Sequence, residues 1–396
     1  MTKILIRGMG IVSAIGNNVA ETLQSLRESR SGIDFVRYLK TAHTEFPVGE
    51  VKLTNEEIMR LLNIPENRPT TRTSLMGMLA VQEALRNCGI DSQSAETKRI
   101  TLISGTTVGG MDKSEQFYLD FIENNTKNAY ISTHDCGACT EMIADYFGIF
   151  SQVYTISTAC SSAANAILLG AEMLKNGRAD IVVAGGAESI TKFHLNGFNT
   201  LMILDKECCR SFDATRAGLN LGEGAAYVVM QRENNMQTKP LAALSGYANT
   251  CDAYHQTASS PNGEGAFLAM KKSIENAGLQ LSDISYINAH GTGTANNDLS
   301  EGIAIQRLFG DKIPPVSSTK AFTGHTTSAA GGVEAVISIL ALQNNFIPEN
   351  LNFKNKMEEL CFTPSAGKRL ITSLQHVLSN SFGFGGNDTS LIFSKI

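Results

Sequence analysis

The sequence predicts an α/β protein made of two similar halves, and three observations carry that reading. Short β-rich runs alternate with helical patterns along nearly the whole chain. A polar stretch at residues 231–239, closed by Pro240, reads as a junction. Similar elements follow in the same order on either side of it.

Strands are expected at residues 4–6, 100–103, 155–157, 181–184 and 225–230, and again at 241–244, 284–288, 377–379 and 390–393. Helices are expected between them, notably at 163–175 and 333–343. The first half opens with Ile4-Leu-Ile-Arg-Gly8 and the second with Leu241-Ala-Ala-Leu-Ser-Gly246. Ile103-Ser-Gly-Thr-Thr107 has a counterpart in Ile287-Asn-Ala-His-Gly-Thr292. Gly224-Ala-Ala-Tyr-Val-Val229 parallels the strand after Gly386. The segments around Cys160 and His325 each run into an Ala-rich helix. The offset between counterparts varies, which excludes a solenoid repeat and fits an old duplication with a longer first half. Chance likeness between two α/β halves is the alternative. The expected division is 1–239 and 240–396.

A chain of 396 residues suffices for two such halves, and 42% hydrophobic with 18% charged residues fits a compact globular protein. The net charge is −5 and no segment is polybasic, which argues against nucleic acid and anionic membrane as partners. The start, Met1-Thr-Lys-Ile-Leu-Ile-Arg-Gly8, is too short in apolar residues for a signal peptide. The apolar stretch at 333–342 carries Glu334 and falls short of the roughly 20 residues that span a bilayer. A soluble cytoplasmic protein with reduced thiols is expected. Cys136-Gly-Ala-Cys139 has redox or metal spacing, and Cys208-Cys209 could add ligands on paper. Adjacent cysteines make an unusual zinc pair and no second C-x-x-C exists, so inert packing and no metal are expected.

Four segments carry chemistry. In Thr155-Ile-Ser-Thr-Ala-Cys160-Ser-Ser a strand ends, the chain turns sharply and a helix begins. A thiol there feels the positive end of the helix dipole, which favours thiolate, and small neighbours leave room for a substrate. Taken alone, the segment also suits a buried structural cysteine. In Tyr286-Ile-Asn-Ala-His290-Gly-Thr-Gly-Thr294 a histidine stands at a strand's C-terminal edge, where α/β sheets bind ligands. Thr292 and Thr294 add two hydroxyls able to grip a polar linker. A hydrogen-bonded surface histidine is the alternative. In Ser318-Thr-Lys320-Ala-Phe-Thr-Gly-His325 a lysine and a histidine precede the second Ala-rich helix. So apolar a setting demands a carboxylate for Lys320 unless it lies at the surface, and Asp298, Glu301 and Glu334 are the candidates. In Phe382-Gly-Phe384-Gly-Gly386 the glycines free a loop that can present an N–H to an oxyanion and move an aromatic ring as a gate, or simply turn the chain. Gly8-Met-Gly10, Val108-Gly-Gly110 and Gly185-Gly186 lack the spacing, acidic residue or lysine of nucleotide-binding loops.

In combination and in this order, the four segments resemble the elongating β-ketoacyl-acyl carrier protein synthases, over nearly the whole chain. The resemblance implies a thiolase fold, with duplicated βαβαβαββ halves in a five-layer α-β-α-β-α sandwich. It implies a homodimer, or a heterodimer with a related subunit, that meets an acyl carrier protein. Cys160 would take the acyl group, with the Cys160 and Phe384 N–H groups as oxyanion hole. His290 and His325 would stabilise the enolate of a malonyl unit, supported by Lys320 and a network of Asp298, Glu301 and Glu334. Thr292 and Thr294 would hold the phosphopantetheine arm that carries the substrates, and no separate cofactor is implied. Val108, Phe198, Phe382 and Phe384 fall at the acyl pocket or its gate. Arg68, Arg72, Lys206 and Arg210 fall where the family meets its acidic carrier.

Ala217, Ser328 and the Asn387-Asp388 pair depart from the family's usual residues. These departures suggest a branch away from housekeeping fatty acid synthesis, and the Leu219–Gly224 and Asn296-Asn297-Asp298 segments are similar to synthases of aryl polyene or flexirubin-like pathways. A cysteine hydrolase would use one histidine with an Asn or Asp orienter. A non-catalytic chain-length subunit would lack Cys160. A thiolase or an initiating synthase acting on coenzyme A thioesters is a nearer rival.

Overall fold

The computed structural model describes residues 3–233, 239–367, 369–370 and 373–396. Its strands are β1 (Ile4–Ser13), β2 (Ile100–Gly105), β3 (Gln152–Ile156), β4 (Ile181–Glu188), β5 (Gly224–Arg232) and β6 (Ala242–Cys251). They continue with β7 (Tyr286–Asn288), β8 (Val316–Ser317), β9 (Phe346–Ile347), β10 (Arg369–Leu370), β11 (His376–Gly383) and β12 (Asn387–Ser394). Ten of them form one hydrogen-bonded array in the order β3-β2-β4-β5-β1-β6-β12-β11-β7-β8, while β9 and β10 pair separately.

Read outward from the centre, the two arms of that array match. Each places its first strand at the middle, its last beside it, and its second between the third and the fourth long strand. In both arms the inner pairs are antiparallel and the outer pairs parallel. Each arm follows a βαβαβαββ course. The arms join where β1 pairs with β6, from Ile4 opposite Leu244 to Ile6 opposite Ala242.

The helices Ser162–Lys175 and Ala330–Asn344 are the third crossovers of the two arms, and they lie against each other, touching strands of both arms. Their composition explains the position. Ala330–Asn344 is buried on nearly every side, and a helix apolar all round needs a partner on each face. At the crossing a Cβ on Gly331 would stand 2.8 Å from the Cβ of Ala164, so the helices approach almost to backbone contact. Helix Arg72–Cys88 covers β1, β4 and β5 on one outer face. Helix Glu264–Ala277 covers β6 and β12 on the other, with Ala295–Phe309 beside it.

Strand β1 is longer than expected and continues through Gly8 and Gly10, with a bulge in its pairing to β5 between Ile6 and Gly8. These glycines make no ligand loop: a Cβ on either would sit within 2.2 Å of a carbonyl oxygen of helix Arg72–Cys88. Strands β8, β9 and β10, of two residues each, were too short to show a period in the sequence. Residues 234–238 of the expected junction lie outside the described residues. Among the described residues no helix is long and apolar enough to cross a membrane.

An acid near the centre of the array is buried without being a group the site uses. Asp388 lies on β12 between Phe382 of β11 and Thr250 of β6, and is 5% exposed. Burial, with Asp252 and Glu301 nearby, pushes its carboxyl up to about 8. A carboxyl raised in the folded state leaves the fold unpenalised below its unfolded value near 4 and burdens it increasingly as pH rises toward 8. Asp388→Asn is therefore expected to gain stability over the parent by a margin that widens from about pH 5 to pH 8 and then levels off, on the order of 1–4 kcal/mol. Urea unfolding across that range measures it, and a margin independent of pH contradicts it. At the helix crossing, Gly331→Val is expected to cost about 1–3 kcal/mol by overpacking, read as a lower urea midpoint with unchanged slope.

Candidate active site

The nucleophile turn is built where β3 ends. Ala159 holds a left-handed φ of 51°, strained for a residue with a Cβ, and helix Ser162–Lys175 starts two residues after Cys160. The strain aims the Cys160 side chain inward rather than along the helix. Burial pushes its thiol up to about 11, while the charge of Lys320 and the N–H of Phe384 pull the other way. The expected preference for thiolate is thus reversed in the resting site: desolvation of a fully enclosed sulfur outweighs the helix N-terminus.

His325 Nε2 lies 3.2 Å from Cys160 Sγ. On the other side of the ring, the Thr327 N–H donates to His325 Nδ1 at 3.2 Å. Nδ1 is an acceptor there, so a neutral ring carries its proton on Nε2 and points it at the sulfur. His290 is oriented the same way: Lys320 Nζ donates to its Nδ1 at 3.2 Å, which leaves the proton on Nε2. Burial first, and then the charge of Lys320, hold both imidazoles well below the usual histidine range. The rings meet edge to face with centroids 5.3 Å apart, and one side-chain donor atom each from Cys160, His290 and His325 lies within 4.8 Å of the others.

The carboxylates divide the supporting work. Glu334 is the partner of Lys320, both buried, and burial pushes its carboxyl up to about 7. Glu301 accepts the backbone N–H groups of His290 at 2.9 Å and Gly291 at 2.8 Å, and the Asn380 amide at 3.1 Å. Asp298 accepts the N–H groups of Phe212 at 2.7 Å and Gly293 at 3.1 Å. It shapes the Gly/Thr loop rather than touching Lys320.

These groups open into a cavity of about 290 Å³ that also reaches Phe198, Phe382 and Phe384. Among the described residues no Asp, Glu, Lys or Arg lines it. Thr292 and Thr294 line it with hydroxyls 2.8 Å apart. Phe198 stacks on Phe384 at 6.0 Å, and Phe382 leans on the His290 ring. Val108 does not line this cavity; its carbonyl accepts Met111 N–H in the turn before helix Met111–Asn124.

Two of the four basic residues expected at the surface are committed internally. Arg72 is 11% exposed, forks onto Glu223 and donates to the Val51 and Leu53 carbonyls. Arg210 is 16% exposed and pairs with Asp205 and Glu207. Lys206 is exposed over the Phe46 ring, and Arg68 is half-buried. Glu188, at the end of β4, escaped the sequence reading. It accepts hydroxyl hydrogens from Thr106 at 3.1 Å, Thr107 at 2.5 Å and Ser328 at 2.6 Å. Ser328 stood out only as a departure, and an acid closing an apolar strand was the signal for its partner. All eight cysteines are free; Cys136 and Cys139 bond separately to Thr107 and Thr71.

The chain matches the family described as Beta-ketoacyl synthase, N-terminal domain, over residues 1–235, and Beta-ketoacyl synthase, C-terminal domain, over residues 241–354. It is 33% identical to 3-oxoacyl-[acyl-carrier-protein] synthase 1 of Escherichia coli (strain K12) over 418 aligned residues, covering 100% of both chains. Among solved structures it is similar to the ishigamide ketosynthase/chain length factor, with TM-score 0.92, 25% identity, and coverage of 100% of this chain and 99% of that one. It is also similar to the ketosynthase ApeO solved with its chain length factor ApeC from Xenorhabdus doucetiae, with TM-score 0.86, 29% identity, and coverage of 100% and 98%. The thiolase fold and the thiol set between two imidazoles agree with these likenesses, and the chain belongs to the β-ketoacyl synthase family.

Proposed function

We propose that this protein condenses an acyl group held on Cys160 with a malonyl unit on acyl carrier protein, giving 3-ketoacyl carrier protein in fatty acid synthesis. The observation that supports it best is the pair of Nε2–H donors, His290 and His325, facing one thiol in a cavity that no charged side chain lines among the described residues.

The chemistry follows from that arrangement. Cys160 sulfur attacks the acyl thioester, and the N–H groups of Cys160 and Phe384 hold the oxyanion. The intermediate collapses, the carrier's thiolate leaves, and it takes up the proton that Cys160 gave up. A malonyl carrier then enters. Its carboxylate finds no cation on the cavity wall, which favours the uncharged product, carbon dioxide. The electrons of the broken C–C bond pass into an enolate whose oxygen accepts from both imidazoles. These cannot quench the carbanion cheaply, because each is neutral and donates without releasing its proton. The carbanion attacks the acyl thioester, the C–S bond breaks, and the Cys160 thiolate leaves and is protonated from water.

Thr292 and Thr294 hold the phosphopantetheine arm, and Phe198, Phe382 and Phe384 form the gate. Lys206 and Arg68 are the two of the four basic residues left to meet the carrier. The division into residues 1–239 and 240–396 belongs to this reading, with the nucleophile in one half and both histidines in the other. So do a cytoplasmic location and a homodimer. The exposed edge strand β3, with Val153 at 37% and Tyr154 at 41% exposure, supports pairing with a second chain. A second reading keeps the reaction but moves it to a polyene or polyketide pathway, with a related subunit as partner. The likeness to two ketosynthases solved with chain length factors favours it.

Mass spectrometry after incubation with acyl and malonyl carrier proteins tests the assignment. Cys160→Ala is expected to abolish acyl loading. His290→Ala and His325→Ala are expected to keep loading and lose extension by about 100-fold or more. Full loading of Cys160→Ala overturns the reading, and net release of free acid points to a hydrolase.

A further inference from the structure

Outside the groups already assigned, one side chain ties the nucleophile turn to the gate loop. Residues 384–386 connect β11 to β12, and the first pair of that hairpin is Gly383 opposite Asn387. Asn387 Oδ1 lies 2.8 Å from Ser161 Oγ, the residue after the nucleophile. It accepts the Asn165 amide at 2.7 Å, one helical turn further on. It also accepts the Asn249 amide, from β6, at 2.7 Å. The orientation of Asn165 is fixed from its other end, where its Oδ1 accepts the Thr389 hydroxyl at 2.8 Å. The two segments touch with no slack: a Cβ on Gly383 would stand 2.8 Å from the Thr158 carbonyl oxygen and 3.2 Å from Ser161 Oγ.

We propose that Asn387 is a positioning residue: its one carbonyl oxygen fixes the separation between the Cys160 turn and the Phe384 loop. That separation keeps the Cys160 and Phe384 N–H groups converging on one oxyanion. The inference rests on the condensation reading and adds to it a residue that touches neither substrate nor sulfur. Without the clamp the thiol stays accessible, but the two N–H groups drift apart. Oxyanion donors are effective only when held at hydrogen-bond distance in advance.

The test compares two reactions of Cys160. Acylation by an octanoyl-N-acetylcysteamine thioester needs the oxyanion hole, whereas alkylation by iodoacetamide does not. Asn387→Leu is expected to slow saturating acylation by about 10- to 100-fold, with KM and the alkylation rate within about twofold of the parent. Asn387→Asp keeps the acceptor oxygen and is expected to restore most of the rate. Asn249→Ala, on an exposed side chain, removes one donor without burying a mismatch and is expected to slow acylation by a few fold. Parent-like acylation by a folded Asn387→Leu protein overturns the inference alone, as does an equal loss of alkylation and acylation. A parent protein that the thioester never acylates overturns the condensation reading along with it.

Discussion

One buried cation organises the site. Lys320 is fully enclosed, and its Nζ reaches Glu334 on one side and His290 Nδ1 on the other. The pair with Glu334 lets a charge persist where an isolated ion would be untenable. The hydrogen bond to His290 then fixes which nitrogen carries the ring proton. The same charge opposes protonation of both imidazoles and eases ionisation of Cys160. A single ammonium thus keeps two histidines neutral as donors and brings a deeply buried thiol nearer to reaction, without standing on the cavity wall itself.

That cation has to be held by rigid surroundings, and the rigidity comes from the middle layer. Glu334 sits on helix Ala330–Asn344, which Gly331 presses against Ala164 of the helix that follows Cys160. The nucleophile and the lysine's counter-ion therefore ride on two helices that cannot slide. The strained Ala159 turn is affordable only against such a support.

Much of this was legible in the sequence. His290, Lys320 and His325 announce themselves beside glycine and threonine, and Cys160 among small residues at a strand-to-helix turn, where an apolar pattern stops. The order of strands in the two halves could be matched for the same reason. What the sequence hid were partnerships set by long-range folding. Nothing local assigns Glu334 rather than Asp298 or Glu301 to Lys320, since all three acids lie on Ala-rich or polar helices. Nothing local says that Arg72 is enclosed with Glu223, 151 positions away, rather than facing solvent. The thiol's ionisation was misjudged because the helix dipole is readable from spacing whereas burial is not. The spacing of the β1 glycines excluded a nucleotide loop, but not what they do instead, since the close approach of helix Arg72–Cys88 is set by long-range packing.

The duplication explains why one chain can supply both sides of the reaction. Strand β3 leads through a turn into Ser162–Lys175, and β8 leads through a longer turn into Ala330–Asn344. Equivalent strand ends of the two halves therefore face each other across the middle layer. One end carries a sulfur that accepts the acyl group, and the other carries the imidazole that donates to it at 3.2 Å. The ends of β2 and β7 are equivalent in the same way, yet β7 is followed by His290 and β2 by Thr106 and Thr107, which are bound to Glu188. Symmetry brings the four ends together, but only its breaking gives chemistry. A thiol in place of His325, or a threonine in place of His290, would leave only one of the two imidazole donors at the thiol. With one nucleophile and two donors drawn from three of the four ends, the site can hold an electrophile on one side and build a carbanion on the other.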